Sequence, residues 1–331
     1  MANWPFRQGI HDIGNGLYGY VQPDGGWGWS NAGLIIGDGE TLLVDTLMSV
    51  PLTRDMLDQF KARVPDARHI DRVVNTHANP DHFFGNGLVA DAEIISTVGT
   101  REEMAEFRPE LLSGLADNYQ NMGEAGEFLY ETMGRTFDFS GVDELTLPTR
   151  TFQKHLTLQV GGKTVELTDL GPAHTSSDTI VWLPGERVVF TGDLLFNEGH
   201  PIMWAGPVEN WIDACRHIID LAPEVVVPGH GPITDIEAVR NMKLYFEYVR
   251  DEARTRFEAG LPFEEAARDI NMQEYRGWSD PERIVANVFS LYRQWGTHFS
   301  PEQQRDLFGA MGRYHKEMAH HDETCGGDHH S

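Results

Sequence analysis

The chain has 331 residues, enough for one large domain with a substantial buried core. Its 51 acidic residues outnumber its 26 basic residues, so the formal net charge at pH 7 is −25. The negative electrostatic field of such a chain repels nucleic-acid phosphates and anionic membrane surfaces, and no Lys/Arg-rich run compensates for it. We therefore expect neither a nucleic acid nor a membrane as a partner.

The first part of the chain alternates short apolar runs with turn signals. Residues 34–36 and 42–44 flank Gly37-Asp38-Gly39, a pattern typical of a β-hairpin. The apolar pair Val73-Val74 then runs directly into Thr-His-Ala-Asn-Pro-Asp-His at 76–82. A strand that stops in such a polar cluster presents its side chains at the carboxyl edge of a sheet. This edge is therefore the first candidate site.

An interruption at about residues 101–136 separates this part from the next strands. Its apolar residues recur at three- and four-residue spacings, which indicates two or three helices. An insertion of this size could form a lid over the site, or it could pack on the flank of the sheets. The sequence leaves both interpretations open.

Three later apolar runs also end in a potential ligand. Residues 156–160 and 165–168 flank Gly161-Gly162, which predicts a second hairpin, and its second strand leads to His174. The run that begins at residue 187 ends in Asp193, and the run that begins at residue 224 ends in His230. A lone Asp or His after a strand is more often a cap or a satisfied core residue. Four strand ends of this kind indicate a shared site, and these side chains are ligands that zinc, iron and manganese prefer.

The remainder of the chain is helical in pattern. Thr-Asp-Ile-Glu at 234–237 has the form of a capping box and predicts a helix that ends near Gly260. Ser279 and Ser300, each shortly before a Pro-Glu pair, predict two further helix starts. An apolar stripe predicts core packing or a dimer face rather than a ligand site; it comprises Ile284, Val285, Val288, Leu291 and Tyr292.

The order of these residues resembles the metallo-β-lactamase superfamily. Its usual motif is His-x-His-x-Asp-His, followed by a distant His, an Asp and a final His. Leu-Leu-Val-Asp-Thr at 42–46 also resembles the family's strand-end Asp. The resemblance covers roughly residues 9–234 and implies an α/β fold, an αββα sandwich with metals between the sheet edges.

The resemblance also implies a division of the chain into three parts. Residues 1–235 would form the catalytic domain with its helical insertion, and 236–318 a C-terminal helical extension. Residues 319–331 are polar and rich in His, and are predicted to be disordered. Loose, adventitious metal binding is the expected behaviour of that tail.

One departure from the motif concerns the first metal site, where Asn79 replaces the second histidine. A carboxamide oxygen is a neutral and weaker ligand than an imidazole nitrogen, so this site is expected to bind metal less well. Asp193 would bridge both sites or serve the second alone. The implied ligands are His77, Asn79 and His174 at the first site, and Asp81, His82 and His230 at the second.

The implied activity is metal-dependent hydrolysis of an ester, lactone or thioester, with one or two Zn²⁺ ions, or Fe or Mn. A divalent ion lowers the pKa of bound water from about 15.7 to about 7 and so supplies hydroxide at neutral pH. Asp193 would orient that hydroxide and Asp81 could accept a proton. No Gly-x-Ser-x-Gly elbow is present to supply a serine nucleophile.

Two alternatives remain at this point. The Asn79 variant also resembles a branch of aromatic polyketide cyclases and thioesterases, in which the metal acts as a Lewis acid. The second alternative is a non-catalytic relative or one that carries di-iron. Hydrolysis of β-lactams is less favoured than the implied hydrolysis of an ester, lactone or thioester. The absence of a cationic cluster disfavours a glyoxalase II-like substrate.

Aromatic residues near the predicted ligands indicate a pocket for an apolar or ring-bearing small molecule. Ordinary core filling accounts for some of them. The candidate substrate contacts are Trp29, Phe84, Phe196, His200 and Trp204.

The predicted compartment is the cytoplasm. The N-terminus has no charged segment followed by an apolar one, and no stretch approaches ~20 consecutive apolar residues. Cys215 and Cys325 are far apart and do not indicate a disulfide framework. A homodimer is one option for the assembly.

Overall fold

The computed structural model describes residues 4–142 and 144–325, of which 319–325 are described by their backbone alone. Two β-sheets form its centre. Strands β1–β7 follow one another across the first sheet and are Gly9–Gly14, Leu17–Val21, Ala32–Gly37, Glu40–Val44, Arg72–Val74, Glu93–Thr97 and Arg150–Phe152. Strands β8–β12 form the second sheet and are His155–Val160, Lys163–Asp169, Thr179–Leu183, Val188–Phe190 and Val225–Val227.

The strands of each sheet change from antiparallel to parallel pairing along the sheet. β1–β4 are antiparallel neighbours, and β4–β7 are parallel. In the second sheet β8–β11 are antiparallel and β12 pairs parallel to β11. Both predicted hairpins are confirmed: Gly37 pairs with Glu40, and Val160 with Lys163. Asp38 and Gly39 have φ of 45° and 83°, as the tight hairpin turn requires.

Helices cover the outer faces of both sheets and fill the insertion. The helices of the first half are α1 Val50–Arg63, α2 Pro80–Phe83, α3 Val98–Glu106, α4 Glu110–Ser113, α5 Leu115–Asn118 and α6 Gly123–Leu129. Those of the second half are α7 Val208–Asp220, α8 Ile236–Glu258, α9 Phe263–Asp269, α10 Arg283–Gln294, α11 Pro301–Arg305 and α12 Leu307–Cys325.

The side chains of each central strand alternate between two apolar layers. Ile35 of β3 and Val181 of β10 belong to the cluster between the sheets. Leu34, the neighbour of Ile35, packs towards α1 on the outer face, and Ile180, the neighbour of Val181, packs towards α7 and α8. Because both faces of each sheet are covered, the strands read as continuous apolar runs. The αββα sandwich is the result.

The starts of the C-terminal helices follow the predicted signals in two cases out of three. Helix α8 begins where predicted and ends just before Gly260, but its N-cap is Asp235, which accepts from the Glu237 amide, and the capping box expected from Thr234 does not form. Ser300 forms the capping box of α11. The start predicted at Ser279 is wrong, because this residue pairs with Gly199 in a β-bridge and α10 begins only after Glu282.

For the C-terminal part, the structure decides between two alternatives and corrects one expectation. The apolar stripe on α10 is at most 4% exposed within one chain, so it is core and not a dimer face; the homodimer stays a prediction. The helix α12 runs to Cys325, whereas a disordered tail was expected from residue 319. Residues 326–331 of that tail lie outside the described residues.

In the part of the chain that the structure describes, no helix combines the length and apolarity needed to cross a bilayer.

Candidate metal centre

Four strand ends bring the predicted ligands to one place at the edge of the sandwich. β5 leads to the segment from His77 to His82, and the loop after β9 carries His174. β11 leads to Asp193 and β12 to His230. His230 forms backbone bridges to Ser30 and Phe196, which join the two sides of this edge.

The carboxylate of Asp193 lies at the centre of four imidazoles. Its Oδ1 is 3.0 Å from Nε2 of His82, and its Oδ2 is 3.3 Å from Nε2 of both His174 and His230. Nε2 of His77 is 3.8 Å from Oδ2. All five side chains are buried. Asp193 thus stands between the two predicted ligand groups, as the resemblance implied for a bridging residue.

Asp81 and Asn79 complete the cluster on opposite sides. Oδ2 of Asp81 lies 3.3 Å from Nε2 of His230 and 3.8 Å from Nε2 of His82. The Asn79 carboxamide lies 3.1 Å from Nε2 of His174. All seven residues predicted as metal ligands are therefore within one cluster.

Three buried atoms in this cluster have no hydrogen-bond partner: Nε2 of His77, Nε2 of His82 and Oδ1 of Asp193. The last two are 3.0 Å apart, but not in hydrogen-bond geometry. Leaving such groups unsatisfied in the interior is costly. A cation among them would satisfy all three, and nitrogen and carboxylate oxygen are suitable donors for zinc. The residues present therefore fit a metal ion.

The second ring nitrogen of each imidazole is bound from outside the cluster. This fixes the ring so that Nε2 points inwards. The partners of Nδ1 are Thr76 Oγ1 for His77 at 3.0 Å, Asp45 Oδ2 for His82 at 2.9 Å, the Ile202 carbonyl for His174 at 2.6 Å and the Gly25 carbonyl for His230 at 3.0 Å.

Asp45 has a larger part in the site than its sequence position suggested. Besides His82, its carboxylate accepts bonds of 2.7 Å from both the amide and the hydroxyl of Thr76. The strand-end position after β4 was the signal for this residue. Asp178 was missed entirely: it accepts 3.0 Å bonds from the amides of Ala173 and Thr175, and so shapes the loop that carries His174.

The carboxylates stabilise positive charge at the centre of the cluster. Burial disfavours the imidazolium of His82, but Asp193, Asp81 and Asp45 outweigh it and raise the pKa of His82 well above its usual value. Burial together with the nearby His82 lowers the pKa of His77 well below the usual value. Burial also opposes the charge of Asp193, yet the surrounding histidines hold the pKa of this carboxyl well below its usual value. The carboxylates thus favour positive charge at His82, whereas His77 favours its neutral form, and both a negative carboxylate and a neutral imidazole suit a cation site.

A cavity of about 560 Å³ opens beside the cluster. Phe196 and Trp204, both predicted substrate contacts, lie on its wall. Trp29 instead packs on Phe137 at 4.8 Å, and Phe84 lies behind Phe107, outside the wall.

The prediction that His200 contacts substrate is wrong. Its side chain is fully buried, with Nδ1 3.0 Å from the Tyr245 hydroxyl and Nε2 3.1 Å from the Tyr275 carbonyl. Both ring nitrogens are thus used in packing the C-terminal extension onto the sandwich.

The insertion lies along this cavity, in line with the lid interpretation and not with packing on the flank alone. Its short helices α3–α6 occupy Val98–Leu129, and several of their apolar side chains line the cavity. The C-terminal extension contributes Arg283 and Phe308 to the cavity wall, which the sequence did not indicate.

A family model of the metallo-β-lactamase superfamily matches residues 25–230. This chain belongs to that superfamily. Most members of the metallo-β-lactamase superfamily are metal-dependent hydrolases.

Two curated relatives match part of this metallo-β-lactamase superfamily member. The "Beta-lactamase-like protein 2 homolog" of Caenorhabditis elegans is 29% identical over 117 residues, which are 35% of this chain and 38% of that protein. The "2,4-dinitroanisole O-demethylase subunit alpha" of Nocardioides sp. (strain JS1661) is 24% identical over 202 residues, 59% of this chain and 51% of that protein. The chain thus spans about half or less of the length of these relatives.

Solved structures show the same fold. The sec-alkylsulfatase Pisa1 from Pseudomonas sp. superposes with a TM-score of 0.64 at 18% identity. The superposition covers 88% of this chain and 51% of the alkylsulfatase chain. A metallo-β-lactamase from Pontibacter korlensis gives 0.56 at 18% identity, covering 73% of this chain and 99% of its own.

Asn79→His should raise the amount of metal that the protein retains. The side chain at 79 lies against Nε2 of His174, and an imidazole there is a stronger ligand than the carboxamide. Elemental analysis after dialysis should show the stoichiometry rise by up to one ion per chain. Asn79→Ala is the control and should give no rise. Equal stoichiometry in Asn79→His and the unchanged protein would contradict the expectation.

Proposed function

We propose that this protein is a metal-dependent hydrolase of an ester, lactone or thioester of an apolar or aromatic small molecule. The observation that carries the proposal is the position of the ligand cluster at the base of an apolar cavity. Asn79, Asp81, His174, Asp193 and His230 all contribute to that base. A substrate bound in the cavity would therefore meet the cluster directly.

The proposed ligands are those of the two groups described above, with Asp193 between them and zinc as the proposed metal. Iron and manganese are also compatible with these donors. A bound divalent cation at this position supplies an acidified water and stabilises negative charge on a substrate oxygen. The weaker donor Asn79 makes the group around His82 and His230 the first to fill.

Asp81 is the proposed proton acceptor. Its carboxylate lines the cavity and contacts His230, as that of Asp193 does. Asp193 lies among all four imidazoles, whereas Asp81 contacts two of them, so Asp81 is the carboxylate we assign to proton transfer. Burial raises its pKa, but the charges of His82 and His230 prevail and lower the pKa of Asp81 to about 2. The carboxylate is therefore ionised near neutral pH.

The walls of the cavity support an apolar or ring-bearing substrate. Trp27, Phe107, Ile202, Trp204 and Phe308 face it from different parts of the chain. A wall of this kind binds apolar area and excludes water from the reacting group. The name of the Nocardioides relative describes demethylation of an aromatic ether, which is consistent with an aromatic substrate here.

The proposal is tested with a panel of p-nitrophenyl esters, acyl-homoserine lactones and acyl thioesters. The zinc-loaded protein should hydrolyse at least one class, and removal of the metal by a chelator should lower kcat/KM at least 100-fold, with recovery on adding Zn²⁺. Loaded protein that hydrolyses none of the three classes would refute the proposal. Activity that survives complete metal removal would refute the assigned site.

A further inference from the structure

We propose that the substrate carries an extended apolar chain, which runs from the metal centre along the helical insertion to an opening between Leu111 and Met122. The inference rests on the proposed function for the reaction at the metal centre, but the binding of the chain can be tested separately. It names the substrate class as an amphiphile with a hydrolysable polar head and a straight apolar tail.

The first observation concerns the part of the insertion from residue 108 to residue 122, here called the roof segment. It has four Leu or Met side chains, and all four line the cavity: Leu111, Leu112, Leu115 and Met122. Of the residues in this segment only Leu115 is buried. The apolar side chains of the roof segment therefore have little core of their own and face the cavity.

The second observation is a gradient of exposure along the cavity. Leu115 and Met133 are only 1% and 8% exposed, whereas Leu111 and Met122 are 58% and 45% exposed. Residues that line a cavity and are also half exposed must lie at its opening. The cavity thus leads from the buried cluster to solvent, and its opening is apolar.

The third observation is the distribution of charge. Glu103 accepts a bond from the amide of Ser176, two residues from His174. The Arg283 guanidinium lies over Phe196 at 5.2 Å, and Phe196 in turn stacks on His230 at 4.9 Å. Arg283 is thus placed at the metal end, as are Asp81 and Asp193, and Glu103 contacts the loop that carries His174.

The charge distribution selects among apolar substrates. The lining residues of the roof segment are all uncharged. A molecule with a polar far end would leave that end in an apolar channel without partners, which is costly. A compact ring would leave the opening empty and its apolar side chains in water. An extended tail covers them, and each buried methylene contributes about 0.8 kcal/mol.

The C-terminal extension holds the part of the insertion that directly follows the roof segment. Helix α6 packs on α12, where a Cβ at Gly312 would lie 2.9 Å from that of Phe128. Glu124 pairs with Arg313 at 2.6 Å, and Glu127 with Lys316 at 2.8 Å. The insertion is therefore anchored where the roof segment ends, and α12 also contributes Phe308 to the lining of the cavity.

The experiment is a series of p-nitrophenyl esters from acetate to decanoate with the zinc-loaded protein. We expect kcat/KM to rise two- to fourfold with each added methylene until the channel is filled, since about 0.8 kcal/mol per methylene corresponds to about fourfold. A constant or falling kcat/KM along the series would overturn the inference.

Leu111→Glu should lower kcat/KM for decanoate at least fivefold and for acetate less than twofold, because it places a charge only at the opening. Leu244→Glu is the matched control: Leu244 is 48% exposed on α8 and is not a lining residue. It should change neither value. Equal losses on both esters in Leu111→Glu would overturn the inference.

Binding of straight-chain alcohols, measured by calorimetry, provides a readout without turnover. Decanol should bind at least 10-fold more tightly than hexanol, and Leu111→Glu should remove most of that difference. If no ester is cleaved, the hydrolase proposal fails while the binding result still decides this inference. Equal affinity for the two alcohols would overturn it.

Discussion

Asp193→Ala should reduce kcat/KM by about 10³-fold or more and remove most of the bound metal. Its carboxylate is 3.0–3.8 Å from four imidazole nitrogens. Without it, the imidazoles lose the anion that favours a cation among them and that we propose orients the reacting group. The measurements are kcat/KM on the best ester of the panel and metal content by elemental analysis.

The control for this variant is Asp213→Ala, which removes an exposed carboxylate from α7. It should leave both values within twofold of the unchanged protein. Circular dichroism should show the same helix content in both variants, so that the loss is assigned to the site. Full metal content together with more than a tenth of the activity in Asp193→Ala would contradict the proposed site.

Gly229→Ala should impair the metal centre through the backbone. A Cβ at this position would lie 2.0 Å from Oδ1 of Asp193 and 2.6 Å from the carbonyl carbon of Gly192. Neither group can move without displacing the Asp193 carboxylate or the end of β11. We expect a loss of about 1–3 kcal/mol in the free energy of unfolding and at least a 10-fold loss in metal affinity.

Gly185→Ala is the matched control, because it lies in the turn between β10 and β11 and a Cβ there meets no atom within 4 Å. Urea denaturation and zinc titration of both variants provide the measurements. Gly185→Ala should differ little from the unchanged protein. A Gly229→Ala variant as stable as this control, and with the same zinc affinity, would contradict the expected effect of the close packing behind Asp193.

The positions of His77, Asp193 and His230 could be inferred from the sequence because the relevant signal is local. Each stands where a short apolar run ends, and such runs formed β5, β11 and β12 as expected. The parallel neighbours β11 and β12 end at one edge of the second sheet, which brings Asp193 and His230 together. His77 comes from the first sheet, so its approach to them depends on the packing of the two sheets.

The environment of His200 could not be inferred in this way. Its partners Tyr245 and Tyr275 are 45 and 75 residues away in sequence, on elements whose packing angle no local pattern specifies. The contribution of Phe308 to the cavity wall also depends on contacts between distant segments, so the sequence did not predict it. Local patterns therefore predicted which side chains would form the cluster, whereas the cavity depends on long-range packing.

The helix start expected at Ser279 illustrates a different limit. The sequence Ser-Asp-Pro-Glu at 279–282 matches a capping signal, but Ser279 pairs with Gly199 in a β-bridge. The backbone at Ser279 is therefore not part of the helix start. Asp280 then adopts a φ of 55° and pairs with Arg283 at 3.2 Å. A contact between distant segments overrode a local preference at this position.

Anomalous diffraction from crystals of the metal-loaded protein tests the central claim most directly. We predict at least one metal peak among the side chains of His82, Asp193 and His230, and a second, weaker peak near Asn79 and His174. Stoichiometric metal in solution with no peak among these residues would contradict the account.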